Sequence, residues 1–289
     1  MNINDRMVLY KYFPGAGPMW EQKLNWFCDR CVLVTPPLYL NDPSEMFYCQ
    51  KPTSADDCSK KPAELETNGE RSRSVVNFHF EQVNKDRPDF AYEARRKQEL
   101  VSEQMGVVSL TKNPLSRVMW AHYAAGHTGY VVGFKHKYCG LIKIGQIAYE
   151  SAWGPFGIAI KVQYTDVLPA LSSNSGNTVR VFCTKHQEWS CEEEWRVIGY
   201  YDQEFMHDIR SLSGNPVIVK EAPCEDGNTY YQFTFHPEEL HSIILGARCH
   251  PDLAGKLRTF LGNIPCGREI MRQVKYDPVR RDISEVNCG

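Results

Sequence analysis

The stretch Glu194-Trp195-Arg196-Val197-Ile198-Gly199-Tyr200-Tyr201 reads as a strand: β-branched and aromatic residues dominate it, and no proline interrupts it. Immediately upstream, Lys185, Trp189 and Glu192 crowd against Glu194, Trp195 and Arg196. Side chains two apart in an extended chain point to one face, so Glu192 and Glu194 are expected to address one object at the mouth of the strand. Two indoles and two cations flank them. The plainer reading is an ion-pair ladder, Glu192 with Lys185 and Glu194 with Arg196. Exposed pairs of that kind contribute only about 0–1 kcal/mol, which gives stability little reason to gather two tryptophans beside them. Carboxylates in such a setting serve general acid–base chemistry or hold ribose hydroxyls.

Strand-like runs recur on both sides of this stretch, at residues 7–13, 31–35, 106–111, 129–134, 142–149, 158–165, 216–220, 230–235, 242–246 and 269–276. Helical periodicity is confined to 18–30, where Trp20, Leu24 and Phe27 share a face, to 116–126, and to 251–261, which opens on a proline. Strands and helices do not alternate, which argues against a doubly wound parallel sheet. The expected fold is α+β, a mostly antiparallel split or two-layer sheet with flanking helices. Residues 1–289 are expected to form one domain, with a polar and helical insertion at about 50–104.

Of the residues, 42% are hydrophobic and 24% charged, enough apolar surface for a substantial core, and the net charge of −2 provides no global field for nucleic acid or anionic membranes. No apolar leader follows Met1, and no apolar run approaches the roughly 20 residues of a membrane span. The 11 cysteines are scattered, as suits a reducing compartment, so a cytoplasmic location is expected. The Cys28–Cys31 pair has no second pair to complete a zinc site and reads best as buried structural thiols. Phosphate-binding loops of the Gly-x-x-x-x-Gly-Lys type, Gly-x-Gly-x-x-Gly, His-Glu-x-x-His and Gly-x-Ser-x-Gly are all missing from the sequence.

Four further segments carry candidate chemistry. Tyr10-Lys11-Tyr12 places both tyrosines on one strand face and Lys11 on the other. Asn41-Asp42-Pro43-Ser44-Glu45 is a turn builder that carries a candidate carboxylate, Glu45. Ser109 and Thr111 share one face at the end of a strand and are equally suited to capping the next turn. In Met119-Trp120-Ala121-His122-Tyr123, one helical face holds Met119, His122 and Tyr123, and Trp120 lies opposite. His122 and His127 are acid–base candidates because imidazole titrates near neutrality, although a histidine on an amphipathic helix is more often a packing residue.

Taken together, Tyr10–Tyr12, Asn41–Glu45, Ser109-Leu110, Met119–Tyr123 with Gly129–Phe134, Lys185–Arg196 and Ile244–Gly246 resemble, in order, the motifs of a bacterial family known as a domain of unknown function. The chain also bears a distant likeness to ADP-ribosyltransferase folds, whose elements are a first-strand residue holding nicotinamide dinucleotide, a Ser-x-Ser/Thr strand and a late Glu-x-Glu. That resemblance implies NAD as substrate and an unidentified acceptor, protein or nucleic acid. It assigns catalysis to Glu194 and Glu192, and dinucleotide binding to Tyr10, Lys11, Tyr12, Ser109 and Thr111. Trp120 and Tyr123 would stack on the nicotinamide ring. The chain departs from those folds at Lys11, where they carry arginine or histidine. Two other readings stand beside this one. One is a non-catalytic module binding a ligand or protein in a groove lined by Trp120, Trp189 and Trp195. The other is a metal-dependent nuclease using Glu45, Glu192, Glu194 and Lys185.

Overall fold

The computed structural model describes residues 6–50, 90–144, 147–171, 177–223, 229–265, 267–277 and 282–287. In chain order the elements begin with β1 (Arg6–Phe13), α1 (Trp20–Cys28), β2 (Cys31–Val34), β3 (Cys49–Gln50), α2 (Phe90–Ser102), β4 (Met105–Thr111) and α3 (Arg117–Tyr123). There follow β5 (Tyr130–Ile144), β6 (Ile147–Gly154), β7 (Gly157–Lys161), β8 (Gln163–Tyr164), β9 (Ala170–Leu171), α4 (Asn177–Phe182), β10 (Thr184–Lys185) and β11 (Glu194–Tyr200). The last are α5 (Gln203–Met206), β12 (Val219–Pro223), β13 (Thr229–Thr234), β14 (Leu240–Leu245), α6 (Pro251–Gly262), β15 (Met271–Asp277) and β16 (Asp282–Asn287). None of the helices is long and apolar enough to cross a membrane, among the described residues.

The main sheet runs β1-β4-β11-β7-β6-β5, and β1 then pairs with β5 from Arg6↔Lys137 to Phe13↔Tyr130, closing a six-stranded barrel. The expectation of a split or two-layer α+β fold of ADP-ribosyltransferase type is therefore corrected: this is a mostly antiparallel closed barrel with few and short helices. The physical reason lies in β5. At 15 residues it is long enough to pair with β1 and β14 through its first half and with β6 through its second. A register shift between Tyr138 and Gly140 bends it on the way, and Gly140 sits at φ 90°. Residue patterns identify strands; they do not say that the first strand will find a partner on each edge.

Beyond the barrel, β14, β15 and β16 extend the sheet from β5, with β14 and β15 parallel. A second antiparallel sheet, β12-β13-β2, is tied to the barrel by the bridge Thr35↔Val107.

Alternation sorts the side chains. Leu9 and Phe13 of β1, Val108 and Leu110 of β4, Trp195 and Val197 of β11, and Val132 and Phe134 of β5 face the largest core. Leu24 and Phe27 of α1 join it, as do Leu253 and Leu257 of α6. The opposite face of β1 puts Tyr12 against Met119 and Trp120 of α3. Ser116 caps α3 by accepting a bond from Met119 N at 3.3 Å.

Most expected strands and all three expected helices are found, with two instructive differences. The run 142–149 is the end of β5 and the start of β6, which pair antiparallel at Ile144↔Ile147, rather than one strand. Neither α4 nor β16 was expected from the sequence pattern. Of the expected insertion at 50–104, residues 51–89 lie outside the described residues, and the remainder contributes α2.

Candidate functional site

The barrel brings three separated motifs into one row. Tyr10 of β1 is paired with Thr111 of β4, which is paired on its other edge with Glu194 of β11. Residues directly opposite in an antiparallel ladder present their side chains on the same face, and Ser109↔Arg196 lies one step along on that face. β1 and β4 are joined by the single pair Tyr10↔Thr111, whereas β4 and β11 are joined by seven, from Glu194↔Thr111 to Tyr200↔Met105. The wall opens beside that single pair. There a cavity of 460 Å³ receives residues from both faces of the barrel, and from α1, β2 and β13 outside it.

One wall of this cavity is a buried ionic cluster. Arg196, fully buried, forks onto Glu194, with Nε donating to Oε1 at 2.8 Å and Nη2 to Oε2 at 2.9 Å. It also donates to Glu45 Oε2 and, through Nη1, to the Phe182 carbonyl at 2.8 Å. Lys185 Nζ reaches Glu192 Oε2 at 2.7 Å and Glu194 Oε2 at 3.3 Å, and stands 4.8 Å from the centre of the Trp189 ring. Glu45 Oε1 lies 3.2 Å from the same ammonium but off a hydrogen-bond axis, an electrostatic contact only. Tyr123 donates its hydroxyl to Glu192 Oε1 and accepts from Asn41 Nδ2. Three carboxylates thus share two cations, and Lys185 and Arg196 occupy the space between the acids that a nuclease would need for a divalent ion.

The carboxylates do not reach this cluster in the way the sequence suggests. Glu192 ends a 3-10 turn, and Glu193 adopts a left-handed conformation at φ 47° before Glu194 begins the strand. Thr111 Oγ1 anchors that turn by donating to the Glu192 carbonyl at 2.7 Å, and Tyr164 OH accepts from Glu194 N at 2.7 Å. Lys185, rather than strand alternation, is what makes the two carboxylates converge.

Burial and charge compete in the cluster. Burial alone would raise the Glu194 carboxyl, but the Arg196 guanidinium and Lys185 ammonium outweigh it and hold the group at about 2. Glu45 shows the opposite balance: burial pushes its carboxyl up despite Arg196. Burial and the neighbouring Glu192 raise the Tyr123 phenol, so it stays a donor. Lys11, on the apolar face between Leu9 and Phe13, is pulled down to about 8 by burial first and by Lys23 second. Its only polar contact among the described residues is a 3.5 Å approach to the Ser109 carbonyl.

Of the residues singled out in the sequence, Tyr10, Lys11, Tyr12, Ser109, Thr111, Tyr123, Glu192 and Glu194 all line this one cavity, together with Glu45, Lys185 and His122. Trp120 does not. It is fully buried, donates to the Pro114 carbonyl at 2.8 Å, and stacks on His127 at 5.6 Å. Trp195 is likewise buried in the core, so the aromatic groove expected from Trp120, Trp189 and Trp195 is not formed. The aromatic lining comes from Trp26, Tyr39 and Tyr230 instead. Sequence reading overlooked these, and also Lys23. The signal available for Lys23 and Trp26 was their spacing of three on the amphipathic helix α1, which puts them on one face. Asp42 is a turn builder as read, its Oδ1 accepting from Ser44 N at 2.9 Å and Ser44 Oγ at 2.6 Å.

No curated protein and no solved structure matches the chain. Residues 119–197, from α3 through the Lys185–Arg196 segment and into β11, match a family described as protein of unknown function (DUF2971).

Proposed function

We propose that the cavity binds a nicotinamide dinucleotide and that its acidic wall promotes cleavage of the bond between ribose C1′ and the nicotinamide nitrogen. The ADP-ribosyl group then passes to water, or to an acceptor on a protein or nucleic acid. The observation that carries this reading is the Tyr10–Thr111–Glu194 row across three adjacent strands, with Lys11, Ser109, Glu192 and Tyr123 on the same cavity. A volume of 460 Å³ suits a ligand of nucleotide size. In the hydrolytic case the C1′–N bond breaks and its electron pair leaves with nicotinamide, whose ring becomes neutral. The water oxygen bonds C1′ and one proton is released. Positive charge develops on the sugar in between, and preorganised carboxylates stabilise it. Glu194, held ionised by Arg196 and Lys185, supplies fixed negative charge. Glu192 is suited to a ribose hydroxyl, because its bond from Tyr123 can be exchanged for one from the ligand.

A second reading, a binding module without turnover, is favoured by the saturation of Glu194, whose two oxygens already accept from Arg196 and Lys185. One experiment separates the two. The protein and its Glu194→Gln and Glu192→Gln variants are incubated with NAD, with and without a cell lysate, and free nicotinamide and ADP-ribosylated product are measured. The enzyme reading expects release by the wild type and a fall of about 10²-fold or more in a folded variant. Binding without release by the folded wild type leaves the module.

A further inference from the structure

The charges around the cavity are unevenly distributed. Glu45, Glu192 and Glu194 are each in contact with Lys185 or Arg196, while Lys11 and Lys23 line the same cavity and, among the described residues, neither ammonium has a carboxylate within ion-pair distance. Burial lowers both ammonium groups, and Lys23 is the leading charge acting against protonation of Lys11. Two neighbouring half-buried cations with no ion-pair partner among the described residues form a site that an anion relieves. A flat surface adjoins them. Lys23 and Trp26 share a face of α1, and the Trp26 indole lies 5.9 Å from the Tyr230 ring of β13, with all three on the cavity.

We propose that Lys11 and Lys23 form a phosphate subsite and that Trp26 and Tyr230 receive the attached ring, so that the ligand is a nucleoside diphosphate or a derivative of one. This rests on the cavity's being a nucleotide site, as proposed above, but not on any turnover there.

The test is equilibrium binding to the intact protein, followed by Trp26 fluorescence and by calorimetry, with ADP, adenosine and inorganic pyrophosphate as probes. ADP is expected to bind more tightly than either fragment. Lys23→Gln and Lys11→Gln are each expected to weaken ADP by about tenfold or more, the loss of a charge-assisted contact, while leaving adenosine unchanged. Lys11→Arg keeps the charge and is expected to retain most of the affinity, which guards against a folding defect in Lys11→Gln. Trp26→Leu is expected to weaken ADP and adenosine but not pyrophosphate. Equal binding of ADP and adenosine, no binding of ADP, or indifference of ADP to Lys23→Gln overturns the proposal. ADP binding without nicotinamide release leaves the subsite standing and removes the enzyme reading instead.

Discussion

Replacing Arg196 by methionine is expected to destabilise the fold by about 3–5 kcal/mol, the range for removing one partner of a buried ionic group. The guanidinium makes four bonds, two to Glu194, one to Glu45 and one to the Phe182 carbonyl. At about 1.5–3 kcal/mol for each charged contact, their sum overshoots that range. Desolvation of the arginine offsets part of the sum, and Lys185 remains to hold Glu194. The more discriminating readout is pH. In the wild type Glu194 titrates at about 2 rather than its usual 4.5. A depressed carboxylate contributes stability that is present above 4.5 and is lost as the pH falls towards 2, here about 3 kcal/mol. In Arg196→Met the orphaned Glu194 and Glu45 can take up protons instead, so the deficit against wild type is expected to shrink between pH 7 and pH 4. Urea unfolding at both pH values measures it. A deficit under about 1 kcal/mol at pH 7, or one that does not change with pH, would refute the picture of a buried cluster organised by this arginine.

Tyr123→Phe removes the hydroxyl between Asn41 and Glu192 and is expected to cost about 1 kcal/mol of stability; a titration of NAD or ADP-ribose then shows whether ligand affinity falls with it. Lys11→Met is expected to stabilise the protein at pH 7, because the wild-type ammonium is buried at a cost. A lysine lowered to about 8 when folded binds fewer protons than the unfolded chain from 8 to 10.5, so wild-type stability rises over that window and the gain from Lys11→Met fades there; thermal melts at pH 7 and 10 decide it. Trp120→Ala empties a fully buried site beside Tyr12 and should cost about 3–5 kcal/mol, yet leave ADP affinity unchanged in protein that remains folded, whereas a ligand-stacking role would abolish it.

Much of the site was legible because strand alternation is a local rule. It separated Lys11 from Tyr10 and Tyr12 and put Ser109 and Thr111 on one face, as found, but it failed for Glu192 and Glu194, because Glu192 ends a 3-10 turn and Glu193 is left-handed. The same rule turns Trp195 away from the carboxylates into the core. The barrel itself was not legible. Closure depends on which strand meets which edge, and nothing local to β1 announces that β4 and β5 will take opposite sides of it. Lys23 and Trp26 were hidden for a related reason: a polar helix face next to an apolar one is the ordinary pattern of a surface helix, and only the position of β13 turns that face into the wall of a cavity.

The single pair that fastens β1 to β4 gives the barrel a seam. On its other edge β1 is held to β5 by eight partners; at the seam separation breaks one. Besides that pair, only Tyr12 OH donating to the Asn113 carbonyl at 2.9 Å and Lys11 approaching the Ser109 carbonyl tie β1 to β4 and the residues just after it by hydrogen bonds, among the described residues. Local opening follows the least protected boundary, so opening is expected first along this line, which borders the cavity.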